Sequence, residues 1–206
     1  MKNFEIEYKW SAAEPRSFYK MRRAMAGAGI AATSQTLHLR DVYLDTPSGE
    51  LGAQKIAFRL RSTNGAWEAT FKTKTEVING KAVRREETLP LPAARSFRHA
   101  LRLLHEKKRW KGLVLEGLAT QFEIRNRRVL HLIKQPGFSA EISFDNCNIV
   151  VGKQRVIFKE IEMEFKRGRI KSFEQTVRLL HLKSGLKFSK CSKVKTAISL
   201  LKANKK

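Results

Sequence analysis

The feature that most constrains this chain is a strict alternation of charged and apolar residues that recurs from one end to the other. In Phe4-Glu5-Ile6-Glu7-Tyr8-Lys9-Trp10, the apolar side chains fall in one phase and Glu5, Glu7 and Lys9 in the other. A period of two places consecutive side chains on opposite faces of a β-strand. The two carboxylates and the ammonium then stand in steps of about 7 Å along one face. The same grammar returns in Ala57-Phe58-Arg59-Leu60-Arg61, in Thr70-Phe71-Lys72-Thr73-Lys74, around Arg84 and Glu86, in Glu141-Ile142-Ser143-Phe144-Asp145, and in Glu160-Ile161-Glu162-Met163-Glu164.

One strand of this kind is explained by a solvated outer face. The set as a whole is segregated by sign. Its first and last members are rich in carboxylates, and its middle members are rich in cations. Solvated faces mix the signs, because an exposed pair contributes little. The apolar phases also need cover, and amphipathic helical stretches are available to supply it. They are the segment through Phe18, Met21 and Met25, Ala93 to Lys107, and Phe173 to Leu186; a final basic helix spans about Cys191 to Ala203. If those helices coat the apolar phases from outside, the charged phases line the interior of a closed barrel. The expected architecture is therefore α+β: an eight-stranded antiparallel β-barrel with a charged lumen and helices packed outside.

Asn64-Gly65 and Asn79-Gly80 mark hairpin turns. Pro47-Ser48-Gly49 and Pro136-Gly137 mark further turns, and Ser11 is a candidate helix cap, with Pro15 in the opening turn. The chain of 206 residues holds no linker long enough to divide it, so a single domain over 1–206 is expected. No run of about 18 apolar residues argues for a membrane helix. Met1-Lys2-Asn3 leads directly into the first strand without a signal-peptide core, so a cytoplasmic protein is expected. Cys147 and Cys191 are far apart and are read as reduced thiols. None of the five histidines has metal-ligand spacing.

The net charge is +23, from 42 Lys and Arg against 19 Asp and Glu. Such a balance favours polyanionic partners: nucleic acid, polyphosphate, nucleotides or an anionic membrane surface. Carboxylate clusters are hard donors for Mg²⁺ or Mn²⁺, and Arg and Lys pair with phosphate oxygens. Phosphoryl transfer needs mainly positioning and charge stabilisation, which these residue types supply.

The ordered set resembles the CYTH superfamily of triphosphate tunnel metalloenzymes. It begins with the Glu-x-Glu-x-Lys of Glu5, Glu7 and Lys9. It continues through Tyr43-Leu44-Asp45-Thr46-Pro47, the strands named above, Val83-Arg84-Arg85-Glu86 and Ser189-Lys190, and so covers nearly the whole chain. The resemblance implies an eight-stranded tunnel that binds triphosphate-containing substrates with a divalent metal. By position it implies metal-directed carboxylates at Glu5, Glu7, Glu160 and Glu162, with Glu5, Glu7 and Lys9 as catalytic candidates. Lys9, Arg59, Arg61, Lys72, Lys74, Arg84 and Lys190 become phosphate ligands. On the strand holding Arg125, Arg127 and Arg128, the pair sharing one phase, Arg125 and Arg127, is the expected phosphate-binding pair. Glu86, Glu141, Asp145 and Glu164 are supporting carboxylates, and Glu141 and Asp145 either orient arginines or touch metal.

Within the resemblance, hydrolysis of inorganic tripolyphosphate to pyrophosphate and phosphate is the leading expectation. Class IV adenylyl cyclase and thiamine triphosphatase use the same tunnel. A non-catalytic polyphosphate- or RNA-binding module is the rival from another class. The lysines crowding the C-terminus, Lys187, Lys190, Lys193, Lys195, Lys202, Lys205 and Lys206, support it or form a solvated tail. Incidental nucleic-acid affinity follows from the net charge alone.

Overall fold

The computed structural model describes residues 4–78, 80–110, 112–189 and 191–203. The chain runs β1 (Phe4–Ser11), α1 (Ser17–Gly27), β2 (Ala32–Asp45), α2 (Glu50–Ala53), β3 (Ala57–Thr63), β4 (Ala66–Lys72), β5 (Glu76–Ile78) and β6 (Lys81–Pro90). It continues through α3 (Phe97–Glu106), the two-residue strands β7 (Arg109–Trp110) and β8 (Leu113–Val114), β9 (Ala119–Gln135), β10 (Phe138–Val151), β11 (Gln154–Gly168), α4 (Ile170–Ser184) and α5 (Lys193–Ala203).

Eight strands close into an antiparallel barrel in the order β1-β11-β10-β9-β2-β3-β4-β6, and β6 pairs back onto β1. The short β5 adds to β6 beside this ring. The expected eight-stranded closed barrel is therefore the observed one. Its strands run longer than the alternation alone delimits: β10 continues past Asp145 to Val151. Ser11 does not cap a helix. It ends β1, and α1 begins later, after Arg16 in the left-handed region with φ 64°.

The register explains which phase faces in. Opposite one another across β1 and β11 stand Lys9 and Glu162, and Glu7 and Glu164. Their apolar neighbours, Trp10, Ile161 and Met163, point outward and are fully buried. They lie under α1 and α4, packed with Met21, Met25, Phe173, Val177 and Leu180. Across the barrel, Phe58, Leu60, Ala69 and Phe71 are covered by α3 through Ala100 and Leu104. The charged phases are left to the lumen.

The last helix behaves differently. Ala197, Val194, Leu200 and Leu201 pack on Tyr43, Phe122, Ile124, Cys147 and Ile149. Those five belong to the inward phases of β2, β9 and β10, as the register with Arg59 and Asn126 shows. Helix α5 thus closes one end of the barrel with an apolar layer. The chain reaches it through residues 187–189, which run beside the end of β1: the Ser11 amide donates to the Lys187 carbonyl at 3.0 Å and the Ser189 amide to the Lys9 carbonyl at 2.8 Å.

Gly168 ends β11 at φ +104°, and a Cβ there would lie 2.2 Å from the Gly137 carbonyl oxygen and 2.6 Å from Phe138 Cα. Both obstacles are backbone, which cannot rotate away. Gly168→Ala is expected to cost about 3 kcal/mol from the strained dihedral and the clash. The corresponding fall in thermal midpoint, about 6–12 °C, is measured by calorimetry against the wild type.

Candidate active site

The lumen is a mesh of ion pairs built from all sides of the barrel. From β1, the Glu5 carboxylate accepts from Lys72 at 3.2 Å and from Arg84 Nε, and Glu7 lies 3.0 Å from Arg84 and 3.2 Å from Lys9. From β2, Asp41 accepts both Arg61 Nε at 2.6 Å and Arg61 Nη2 at 2.7 Å, with Arg59 at 3.4 Å. Lys72 also touches Glu86. From β9, Arg128 donates to both oxygens of Asp145, at 2.7 and 2.6 Å, and to Glu162 at 2.8 Å. From α5, the Lys193 ammonium lies 2.8 Å from Asp145, 2.5 Å from Glu160 and 3.3 Å from Glu162. Because these interior ions pair off, the excess positive charge of the chain is carried elsewhere.

Burial sets their protonation. Desolvation opposes every charge here, and the neighbours decide whether it wins. At Glu5 it loses to Lys72 and Arg84, which hold the carboxyl well below its ordinary range. At Asp41 it loses to Arg61 and Arg59 in the same way. Asp145 is lowered to about 2, since Lys193 and Arg128 outweigh its burial. Burial likewise works against the Lys9 ammonium, but Glu162 and Glu7 raise it above its ordinary value. Lys72 is the reverse case. Burial, with Arg84 and Arg59 adding, brings it down to about 8 despite Glu5 and Glu86. Glu160 is raised to about 7: burial dominates, and the repulsion of Glu162 and Asp145 outlasts the attraction of Lys193.

Asp145, Glu160 and Glu162 each offer an oxygen within 4.8 Å of the other two, and all three are buried. Although the Lys193 ammonium is close, neither oxygen of Glu160 receives a well-directed hydrogen bond. Three buried carboxylates, one of them with both oxygens unsatisfied, fit a divalent ion of the hard, oxygen-seeking kind. Two of the four carboxylates expected at the metal, Glu160 and Glu162, belong to this cluster. Glu5 and Glu7 face the same lumen on β1, engaged by Lys72, Arg84 and Lys9.

The structure relocates several expected residues. Arg125 and Arg127 do not enter the lumen. Both are exposed on the outer wall, where Arg125 pairs with Glu123 at 2.6 Å. Arg128, in the opposite phase, is the β9 arginine that points inward. The cause lies at the closed end: Phe122 and Ile124 turn inward against α5, so on this strand the apolar residues share the interior phase with Arg128. Lys74 is exposed in the connection beyond β4 and makes no contact with the mesh. Glu141 and Glu164 pair with Lys166 at 2.9 and 2.8 Å, apart from the carboxylate cluster. Lys190 lies outside the described residues.

Two interior residues carried no sequence expectation as site residues. Asp41 is a single charge between Leu39 and Tyr43 in their phase, which is the mark it leaves in the sequence. Lys193 was one lysine among many at the C-terminus. Its signal was helical spacing: it precedes Val194, Ala197 and Leu201 on the apolar stripe of α5, where a solvated lysine has no place.

Residues 3–198 match the CYTH domain model. The chain belongs to the CYTH family. Among curated relatives, this CYTH chain is 29% identical over 162 residues to an inorganic triphosphatase of Haemophilus influenzae, a stretch covering 78% of this chain and 45% of that protein. It therefore spans less than half the length of that relative. Among solved structures it is similar to a Hippeastrum protein described as a candidate adenylyl cyclase with dominant triphosphatase activity, with a TM-score of 0.68 at 14% identity, covering 97% of this chain and 96% of that one. A Pyrococcus horikoshii protein gives 0.65 at 18% identity over 95% and 99%. The RNA triphosphatase domain of a mimivirus capping enzyme gives 0.59 at 12% over 89% of each. At these identities the likeness establishes the fold. No helix among the described residues is long and apolar enough to cross a membrane.

Proposed function

We propose that this CYTH barrel is a metal-dependent triphosphatase working inside its lumen, and that it splits inorganic tripolyphosphate into pyrophosphate and phosphate. The observation that carries the reading is the meeting of the Asp145, Glu160 and Glu162 cluster with inward-facing Arg59, Arg61, Lys72, Arg84 and Arg128 in one closed barrel. A polyanion binder has no use for buried carboxylates, which repel its ligand. A metallohydrolase requires both signs. The Haemophilus influenzae relative is named for the same activity.

In this reading Asp145, Glu160 and Glu162 hold Mg²⁺ or Mn²⁺, with Glu5 and Glu7 on the adjoining wall. When bound, the ion neutralises phosphate charge and lowers the pKa of a coordinated water toward neutrality. The chain's own residues do the rest. Arg59, Arg61 and Lys72, now neutralised by Asp41, Glu5 and Glu86, turn their donors to the phosphate oxygens. Arg84 and Arg128, fixed between pairs of carboxylates, present preorganised positive charge to the phosphorus under attack. Lys9, between Glu7 and Glu162, keeps the two acidic strands at hydrogen-bond distance.

The test is phosphate release from tripolyphosphate, ATP and thiamine triphosphate, each with and without EDTA, with cyclic AMP also measured from ATP. Tripolyphosphate is expected to turn over fastest, and EDTA to abolish the reaction. Glu5→Gln with Glu7→Gln is expected to remove turnover while circular dichroism stays native. Polyphosphate binding that persists in the double variant, with no metal-dependent hydrolysis by the wild type, would leave a non-catalytic binder instead.

A further inference from the structure

The outer wall carries a second ionic surface, distinct from the lumen. Helices α1 and α4 cover one sector of the barrel and α3 another. Between them lies a stretch of β2, β9, β10 and β11 whose outward side chains are not covered by a helix, bordered on the α3 side by Arg40, which stacks over the Phe97 ring at 5.6 Å. Strand register arranges them in two rungs across four strands. One rung is His38, Arg127, Asn146 and Lys159. The next is Arg40, Arg125, Asn148 and Ile157. Arg155 continues the β11 edge. The side chains of the first rung are all exposed, Arg125 is 67% exposed and Ile157 64%. The wall carries five cations, and its carboxylate, Glu123, is shared by Arg40 at 2.9 Å and Arg125 at 2.6 Å.

We propose that this wall binds the sugar–phosphate backbone of a nucleic-acid duplex, independently of sequence. The cations form two lines: Arg125 and Arg127 on β9, backed by Arg40, and Arg155 and Lys159 on β11. Strands neighbour at about 4.8 Å, so the lines stand about 10 Å apart. Between them β10 presents the neutral, exposed amide of Asn146, with Asn148 half-buried behind it and its carbonyl oxygen shielded. A duplex offers the matching pattern: two rows of phosphates flanking a minor groove about 6 Å wide, lined by hydrogen-bonding edges. A linear polyphosphate would need one row and leave the Asn146 amide idle. Unpaired strands are gripped by stacking on aromatic side chains, and neither rung contains Phe, Tyr or Trp. Backbone contacts position a duplex without reading its bases, and the wall has no element that enters a groove to read them.

The experiment is fluorescence anisotropy of a labelled DNA duplex of about 20 base pairs across a series of salt concentrations. The wild type is compared with Arg125→Gln/Arg127→Gln/Lys159→Gln and with a charge-matched control on the helical sector, Lys20→Gln/Arg23→Gln/Lys183→Gln. The wall variant should bind at least tenfold more weakly at low salt, and its plot of log K against log salt should flatten by about 3, one unit per lost cation. The control should keep the wild-type slope. Both triples should keep the wild-type thermal midpoint, since all six side chains are exposed. Equal losses in the two triples would mean diffuse attraction and overturn the assignment. So would tighter binding of the single strand than of the duplex, displacement of the duplex by tripolyphosphate, or no duplex binding by the wild type at low salt.

Discussion

Lys193→Met is expected to destabilise the metal-free protein by about 3–5 kcal/mol at pH 8, the range for removing one member of a buried ionic cluster. The substitution keeps the length of the side chain and its fit on the apolar stripe of α5, so lost charge is what it reports. Asp145, Glu160 and Glu162 are then left together with only Lys9 and Arg128 as cations in contact. For a domain of this size the thermal midpoint should fall by roughly 10 °C. The pH dependence has a fixed sign. The folded pKa of Glu160, about 7, lies above its unfolded value. Its effect on stability is therefore favourable at low pH and is lost as pH rises from the ordinary carboxylate range through about 7. Removing Lys193 raises the carboxylates it faces, so the loss in the variant should be steeper and largely repaired at pH 5. Added Mg²⁺ or Mn²⁺ should also raise the midpoint, because an ion that binds only the folded state stabilises by mass action. A variant as stable as the wild type at pH 8, without metal, would remove Lys193 from the site.

The second large effect separates two neighbouring arginines. Arg128→Gln should lower kcat/KM for tripolyphosphate by 10²–10³, about 3–4 kcal/mol of transition-state stabilisation, as for other preorganised charge donors. Arg127→Gln should stay within about twofold. Arg128 donates to Asp145 and Glu162 inside the barrel, while Arg127 points to solvent on the opposite face. The measurement is steady-state phosphate release by both variants at saturating metal. Comparable losses in the two would mean that the β9 register is not as the structure gives it.

These residues also show how far the alternation carries. Where helices cover the wall from outside, apolar side chains mark the outside and charges the lumen. Glu5, Glu7, Lys9, Arg59, Arg61, Lys72, Arg84, Glu160 and Glu162 all follow that rule. At the closed end the rule inverts, because α5 presents apolar surface to the interior. Phe122 and Ile124 on β9 and Cys147 and Ile149 on β10 face it. Reading β9 by charge alone therefore selects Arg125 and Arg127, the exposed face. The correct phase requires knowing that a helix stops the barrel. That helix was legible only as a basic stretch, because the lysines crowding the C-terminus hide the apolar stripe that Val194, Ala197 and Leu201 form. Asp41 was hidden for a related reason: one acid in a strand of Leu, Val and Tyr looks like an exposed interruption until Arg59 and Arg61 are placed beside it on β3.

The seam between β1 and β11 joins strands far apart in the sequence, and Lys9 meets Glu162 across 153 positions. Pairings so distant are late and slow to form, because the intervening loop must be closed first. During synthesis, β1 waits without its partner on that side until β11 has left the ribosome. Asp145, Glu160 and Glu162 lie on the β10–β11 hairpin, whose strands are neighbours in sequence, while Glu5 and Glu7 stand on β1. The carboxylate trio can therefore assemble on its hairpin before the ring closes, and closure adds the β1 wall that completes the lumen around it.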